Sequence, residues 1–225
     1  METKHYRLVP TLVKANSEIE NLIQCLGDML PVTQRRDWHR TSREALGGCA
    51  DVPAALTRWL IWILRSESQR FGEAMPAAYA ACLYEQRLAG VEPTADEWAV
   101  VVEKATEAKI RLYDLLETAE TAWYASLRLD STLVYADADA EAESRSHVAG
   151  IISGCAAAKR RAKGRWVAAE IARFAAREAN TDDPQRASVC AADIAYDTVG
   201  VEDGPWRERV ARMTAQLIVA LEAGQ

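Results

Sequence analysis

The sequence contains few of the residues that interrupt helices. Of its 225 residues, 11 are Gly and 7 are Pro, whereas 41 are Ala, the strongest helix former. β-branched and aromatic residues occur in groups of no more than a few, and no run of strand length alternates cleanly between apolar and polar residues. This composition excludes collagen-like and disordered chains and predicts an all-α protein.

Paired cysteines are also missing. The chain has five cysteines, an odd number, and they are widely separated with no Cys-x-x-Cys pair. The five are Cys25, Cys49, Cys82, Cys155 and Cys190. We therefore expect neither a disulfide framework nor a zinc site, and we expect a protein of the reducing cytoplasm.

Long apolar runs are absent as well. The most apolar stretch, Trp59 to Leu64, lies between Arg58 and Arg65 and is far shorter than the ~20 residues that a membrane span requires. The first ten residues lack the apolar core of a signal peptide. The sequence thus predicts no membrane partner.

The motifs of common enzyme classes do not occur in the chain. There is no Walker loop, no G-x-G-x-x-G and no G-x-S-x-G, and the three histidines form no H-x-x-x-H pair. We therefore expect a protein that is not an enzyme and that carries no cofactor.

Helix start and stop signals predict about eight or nine helices. The clearest start is the capping box from Thr94 to Glu97. Asp51 predicts the start of an apolar central helix, Asn16 or Ser17 the start of the first helix, and Asp182 the start of a late one. Because no linker interrupts the chain, we expect residues 1–225 to form one all-α domain, a single-domain helical bundle that stacked helix hairpins would build.

Two patterns predict close helix packing. The first is a seam with steps of three and four residues that runs from Trp98 to Leu129 and includes Leu115 and Ala122. The second is a stripe of small residues at every fourth position: Ser146, Gly150, Gly154, Ala158 and Ala162. A second helix is expected to pack closely on each pattern, either within the chain or in a homodimer.

Charge is distributed unevenly along the chain. Residues 92–146 contain 13 acidic and 5 basic side chains, a balance of 5 − 13 = −8. The densest acidic segment holds Asp137, Asp139, Glu141 and Glu143. This segment predicts either a solvated helix face or a surface for a basic partner protein. A third possibility is a divalent metal held by Asp139, Glu143 and His147, which share one helix face at intervals of four residues.

Two basic segments predict an alternative function, nucleic-acid binding. Arg35, Arg36, Arg40 and Arg43 precede a glycine turn in an arrangement resembling a helix-turn-helix, although the apolar second helix offers few side chains to a DNA groove. The other segment is the run Lys159, Arg160, Arg161, Lys163 and Arg165, which could bind phosphates but spreads around its helix.

The chain resembles the alanine-rich helical immunity proteins of bacterial toxin systems over roughly residues 54–223. The segments that carry the resemblance are 58–62 (RWLIW), 122–125 (AWYA), 166–176 (WVAAEIARFAA) and 206–217 (WRERVARMTAQL). The resemblance implies a small cytoplasmic protein that neutralises a toxin by binding it, and it implies no catalytic residue. The leading hypothesis is thus a non-enzymatic helical protein that binds, and inhibits, another protein, such as an immunity protein or a phage inhibitor of host defence. A nucleic-acid-binding protein and a metal-dependent helical enzyme are the alternatives.

Overall fold

The computed structural model describes residues 15–71, 75–129, 138–179 and 206–224, and these residues form seven helices and no strand. The helices are α1 (Ala15–Met29), α2 (Val32–Gly48), α3 (Val52–Phe71), α4 (Met75–Leu88), α5 (Ala95–Leu129), α6 (Ala138–Ala179) and α7 (Trp206–Glu222). The all-α expectation is confirmed as a single helical domain. The helix expected after Asp182 lies outside the described residues.

Local signals explain three of the helix ends. The Asp51 carboxylate accepts a hydrogen bond from the Ala54 N–H at 3.0 Å and caps α3. Thr94 and Glu97 form the expected capping box at the start of α5, because each side chain accepts a hydrogen bond from the other residue's N–H. Gly90 ends the turn after α4 with a φ of +81°, a conformation that favours glycine.

The start of the first helix was predicted incorrectly. Helix α1 already includes Ala15, so Asn16 and Ser17 lie inside the helix and not at its cap. A run of polar residues near a helix start offers several candidate caps, and sequence spacing alone did not separate them.

The core surrounds α3, as its nearly uniform apolar sequence predicted. Helix α3 packs against α4, α6 and α7, and Leu56, Trp59 and Leu64 are fully buried. The Trp59 indole N–H donates to the Met213 carbonyl of α7 at 3.0 Å. The Tyr84 hydroxyl of α4 donates to the Ala175 carbonyl of α6 at 2.7 Å. These hydrogen bonds satisfy the polar atoms of large buried side chains and orient the helices.

Helices α1, α2 and α7 close one side of the core. The buried Trp38 of α2 donates its indole N–H to the Ile23 carbonyl of α1 at 2.8 Å. Gly224, after α7, accepts a hydrogen bond from the Ala50 N–H at 3.0 Å. Helix α2 therefore packs on α1 and α7, whereas α3 is a central core helix. The helix-turn-helix arrangement is thus wrong, since a recognition helix must face solvent.

Helices α5 and α6 form a long antiparallel hairpin. Lys109 pairs with Glu170 at 2.9 Å and Glu120 pairs with Lys159 at 3.6 Å. Both contacts fit a single register of the two helices. The number of residues between Lys109 and Glu120 on α5 equals the number between Lys159 and Glu170 on α6. The opposite order of the paired residues shows that the helices run in opposite directions.

Only the base of this hairpin belongs to the main core. From α5 the core takes residues up to Ala105, and from α6 it takes residues from Trp166 onward. We call the remainder, residues 106–129 and 138–165, the hairpin arm. At ~1.5 Å per residue, its α5 part is about 36 Å long.

The predicted seam is correct at the base of α5 and at two positions of the arm, and it is wrong at three others. Trp98, Val101, Ala105, Leu112 and Ser126 are buried, but Leu115, Ala122 and Leu129 are exposed. Leu116 and Trp123, beside the exposed Leu115 and Ala122, are half-buried. The neighbouring row of the helix carries the larger side chains, and it is therefore the row that turns toward α6.

The small-residue stripe was expected to lie against a second helix, and within the described part of the chain no helix packs on its two glycines. A Cβ atom added to Gly150 or Gly154 would meet no atom within 4 Å. The residues of α6 turned toward α5 include Lys159 and Glu170 instead. Small side chains at four-residue spacing are thus also compatible with a face that is left open.

Candidate functional site

The outer surface of α5 carries an unusual number of exposed apolar side chains. Seven of the 13 large hydrophobic residues that are exposed in the described part of the chain belong to this one helix. They are Val100, Ile110, Tyr113, Leu115, Tyr124, Leu127 and Leu129. Apolar residues concentrated on one element, rather than scattered singly, indicate an interaction surface.

Six exposed residues of the arm lie in one line along α5: Thr106, Ile110, Tyr113, Glu117, Thr121 and Tyr124. We call this line the outer stripe. Its members are three or four residues apart and therefore share one face of the helix. Ile110 is 65% exposed, and both tyrosines are 57% exposed. The face exists because α5 buries a different row of side chains against α6.

Acidic side chains flank the outer stripe. Glu103, Glu107 and Asp114 are exposed on the adjoining face of α5, and Glu117 lies within the stripe itself. Lys104 pairs with Glu107 at 3.1 Å, and the hydrogen bond and charge of Glu107, with the charge of Glu103, raise the pKa of Lys104. The surface around the stripe thus presents apolar groups beside three acids, with the cations Lys104 and Arg111 further around the helix.

Charged residues inside the hairpin hold the arm's two helices together. Glu170 is buried and contacts both Lys109 at 2.9 Å and Arg173 at 2.7 Å. Burial raises the pKa of Glu170. The hydrogen bonds from Arg173 and Lys109, together with their positive charges, lower it by more than burial raises it, so the pKa lies below its ordinary value. Glu170 is therefore charged at neutral pH and pairs with both cations.

The predicted acidic segment is only partly described. Asp137 and the side chain of Asp139 lie outside the described residues. Glu141 pairs with Arg145 at 2.5 Å, as an ordinary pair one helical turn apart. Glu143 is exposed and lines an open depression of about 600 Å³ with Ser144, Ser146, His147 and Val148.

The structure brings together two of the three predicted metal ligands. Glu143 and His147 line the same depression. Among the residues that the structure describes, no group of three or more His, Cys, Asp or Glu side chains could hold a metal ion. The side chain of Asp139, the third predicted ligand, is not among them.

The predicted basic residues of α2 divide between structural and exposed positions. Arg35 donates to the carbonyls of Leu30 and Asp28 at 2.9 and 2.8 Å and thereby caps the end of α1. Arg40 pairs with Asp37 at 3.2 Å. Arg36 and Arg43 are exposed.

The basic run of α6 is divided in the same way. The Lys159 ammonium lies 3.9 Å from the ring centre of Trp123 and 5.4 Å from that of Tyr124, and it turns toward α5. Lys163 and Arg165 are half-buried, whereas Arg160 and Arg161 are exposed. The run therefore does not form one continuous cationic surface.

Comparison with known proteins identifies no relative. No protein-family model, no curated protein and no solved structure matches this chain. Across the described ranges, no helix combines the length and apolar character needed to cross a membrane. The resemblance to immunity proteins stays a prediction, and the function must be argued from the chain's own surface.

Sequence reasoning missed the outer stripe. The residues Ile110, Tyr113 and Tyr124 are spaced as a helix face, but so is the buried row beside them. The stripe could have been recognised from the two apolar rows on this one helix. A single neighbouring helix can bury only one of these rows, so the other row is left exposed.

Proposed function

We propose that this chain is a non-enzymatic protein-binding module that recognises another protein through the outer stripe of its hairpin arm. The observation that carries this proposal is the row of exposed apolar side chains, including Ile110, Tyr113 and Tyr124, on the part of α5 that lies outside the main core. Tyrosines that project from a rigid helix are effective anchors at interfaces, because they bury much area with little loss of conformational entropy.

The role of this module is inhibition. An arm about 36 Å long can cover the working surface of a partner while the core of the domain stays outside the contact. The acidic edge formed by Glu103, Glu107 and Asp114, with the predicted segment from Asp137 to Glu143, favours a basic partner such as a nuclease or a subunit of a host-defence complex. The resemblance to immunity proteins supports the same role.

A capture experiment in the native host tests this function. Tagged protein is recovered with and without nuclease treatment, and its companions are identified by mass spectrometry. We expect one stoichiometric protein that survives nuclease and that is lost with the variant Tyr113→Gln/Tyr124→Gln. The matched control Tyr79→Gln changes an exposed tyrosine of α4 and should retain it.

Two results would contradict the proposal. Companions that disappear with nuclease would support nucleic-acid binding through residues such as Arg36 and Arg160. If the double variant captures the partner as efficiently as the control does, the outer stripe is not the binding surface.

A further inference from the structure

The outer stripe has the dimensions of a helix-binding surface. From Thr106 to Tyr124 its members are spaced by three or four residues, which matches the spacing that one helix presents to another. At ~1.5 Å per residue this distance is about 27 Å, or roughly five turns. A partner helix laid along the stripe would bury Ile110 and both tyrosines at once.

The charges on and beside the outer stripe determine which side chains a partner helix must carry. Glu117 lies between the apolar pair Ile110 and Tyr113 on one side and Tyr124 on the other. The four positions three or four residues from Glu117 hold Tyr113, Asp114, Glu120 and Thr121, so no cation lies there and two further acids do. An occupant must therefore supply a cation at the centre of its apolar face, because burying an unpaired carboxylate is costly.

The same charge argues against a second copy of this chain. A parallel two-fold pairing along the stripe would place Glu117 against the same residue of the other copy, and an antiparallel pairing centred on the stripe would place it against Tyr113, where no cation meets it. Two carboxylates in direct opposition repel each other, and the stripe offers no cation at its centre to separate them. The occupant that fits is a different molecule.

We propose that the outer stripe binds an amphipathic helix of a partner protein whose apolar face has a lysine or arginine at its centre, opposite Glu117. This inference rests on the proposed function and adds the secondary structure and the charge of the partner's binding segment. Glu103 and Asp114 then contact basic residues at one edge of the same helix, next to the pair that Glu107 forms with Lys104.

Two synthetic peptides test the inference with the full chain. The basic probe is a 21-residue amphipathic peptide with leucine at the core positions, one central core lysine, and lysine at the flanking positions. The acidic probe has glutamate in place of every lysine. Binding is measured by fluorescence anisotropy, and circular dichroism of the complex reports whether the peptide becomes helical.

We expect the basic probe to bind and become helical, and the acidic probe to bind at least about tenfold more weakly. The variant Glu117→Lys should weaken the basic probe by at least about tenfold and strengthen the acidic one, because it reverses the central charge. The control Glu44→Lys makes the same charge change on the exposed surface of α2 and should leave both affinities unchanged.

Three results with the peptide probes would overturn the inference. These are equal binding of both probes, failure of the basic probe to bind, and binding that Glu44→Lys weakens as much as Glu117→Lys. Concentration-dependent dimerisation of the chain that Tyr113→Gln/Tyr124→Gln abolishes would also overturn it, in favour of a second copy. If the probes fail but the captured partner still requires Tyr113 and Tyr124, the proposed function stands and only the helical, basic nature of the partner is wrong.

Discussion

Lys109 of α5 reaches across the hairpin and contacts Glu170 of α6 at 2.9 Å, and Arg173 contacts the same carboxylate at 2.7 Å. This buried charge cluster lies where the hairpin leaves the main core. The Lys109 ammonium also lies 5.2 Å from the ring centre of Trp166. The contacts link the register of α5 to that of α6, and that register determines which face of α5 is left exposed.

Removal of the lysine should destabilise the fold. Lys109→Ala leaves Glu170 buried with Arg173 as its remaining cation, and we expect a loss of about 1–2 kcal/mol in the free energy of unfolding. The control Lys104→Ala removes an exposed pair with Glu107 and should cost less than about 0.5 kcal/mol. Urea denaturation measures both values, and equal losses would contradict a special role for the buried pair.

The same cluster predicts a dependence of stability on pH. The pKa of Glu170 in the folded state lies below its ordinary value of 4.5. The charged carboxylate therefore contributes its full stabilisation of the fold above pH 4.5. This contribution is lost as the pH falls through the folded pKa. In Glu170→Gln the contribution is absent at every pH, so the difference in melting temperature between wild type and variant should shrink as the pH falls from 7 to 3. A constant difference would contradict this assignment.

Glycine positions provide a further prediction about packing. Gly150→Ala and Gly154→Ala add a methyl group where no atom lies within 4 Å, and each should stabilise the protein by up to about 1 kcal/mol through helix propensity. Gly27→Ala should destabilise it, because the new Cβ would lie 2.6 Å from the His39 ring and 2.8 Å from the Trp38 ring. Thermal melting distinguishes the two groups. Destabilisation by Gly150→Ala would show that another molecule packs on that face of α6.

Local signals predicted much of the fold because they act over a few residues. The capping box at Thr94 and the cap at Asp51 each depend on hydrogen bonds within one helical turn, and both are confirmed. The uniform apolar character of α3 likewise placed it at the centre of the core. Such features need no knowledge of which helices are neighbours.

Features that depend on the choice of neighbour were predicted less well. Helix α5 has two apolar rows, and nothing within the helix shows that Leu116 and Trp123, rather than Leu115 and Ala122, face α6. The position of Lys159 is a further example, since the sequence of the basic run does not show which of its cations contacts another helix of the chain. Here it lies over Trp123 because α6 brings it opposite that ring.

The candidate site was missed for the same reason. The acidic segment from Asp137 to Glu143 attracted attention through composition, and Glu141 proves to be paired within its own helix. The outer stripe combines apolar residues with a lone central acid, and its exposure follows only from the register of α5 against α6.

The most direct test of the central claim is the affinity of the captured partner for purified variants of this chain. Isothermal titration calorimetry compares wild type, Ile110→Gln/Tyr113→Gln/Tyr124→Gln and the control Tyr79→Gln/Val219→Gln, which changes exposed residues of α4 and α7. We predict that the stripe variant weakens binding by at least about thirtyfold, equivalent to about 2 kcal/mol, and that the control stays within about threefold of wild type. A stripe variant that folds normally and binds like wild type would contradict the claim that the outer stripe is the binding surface.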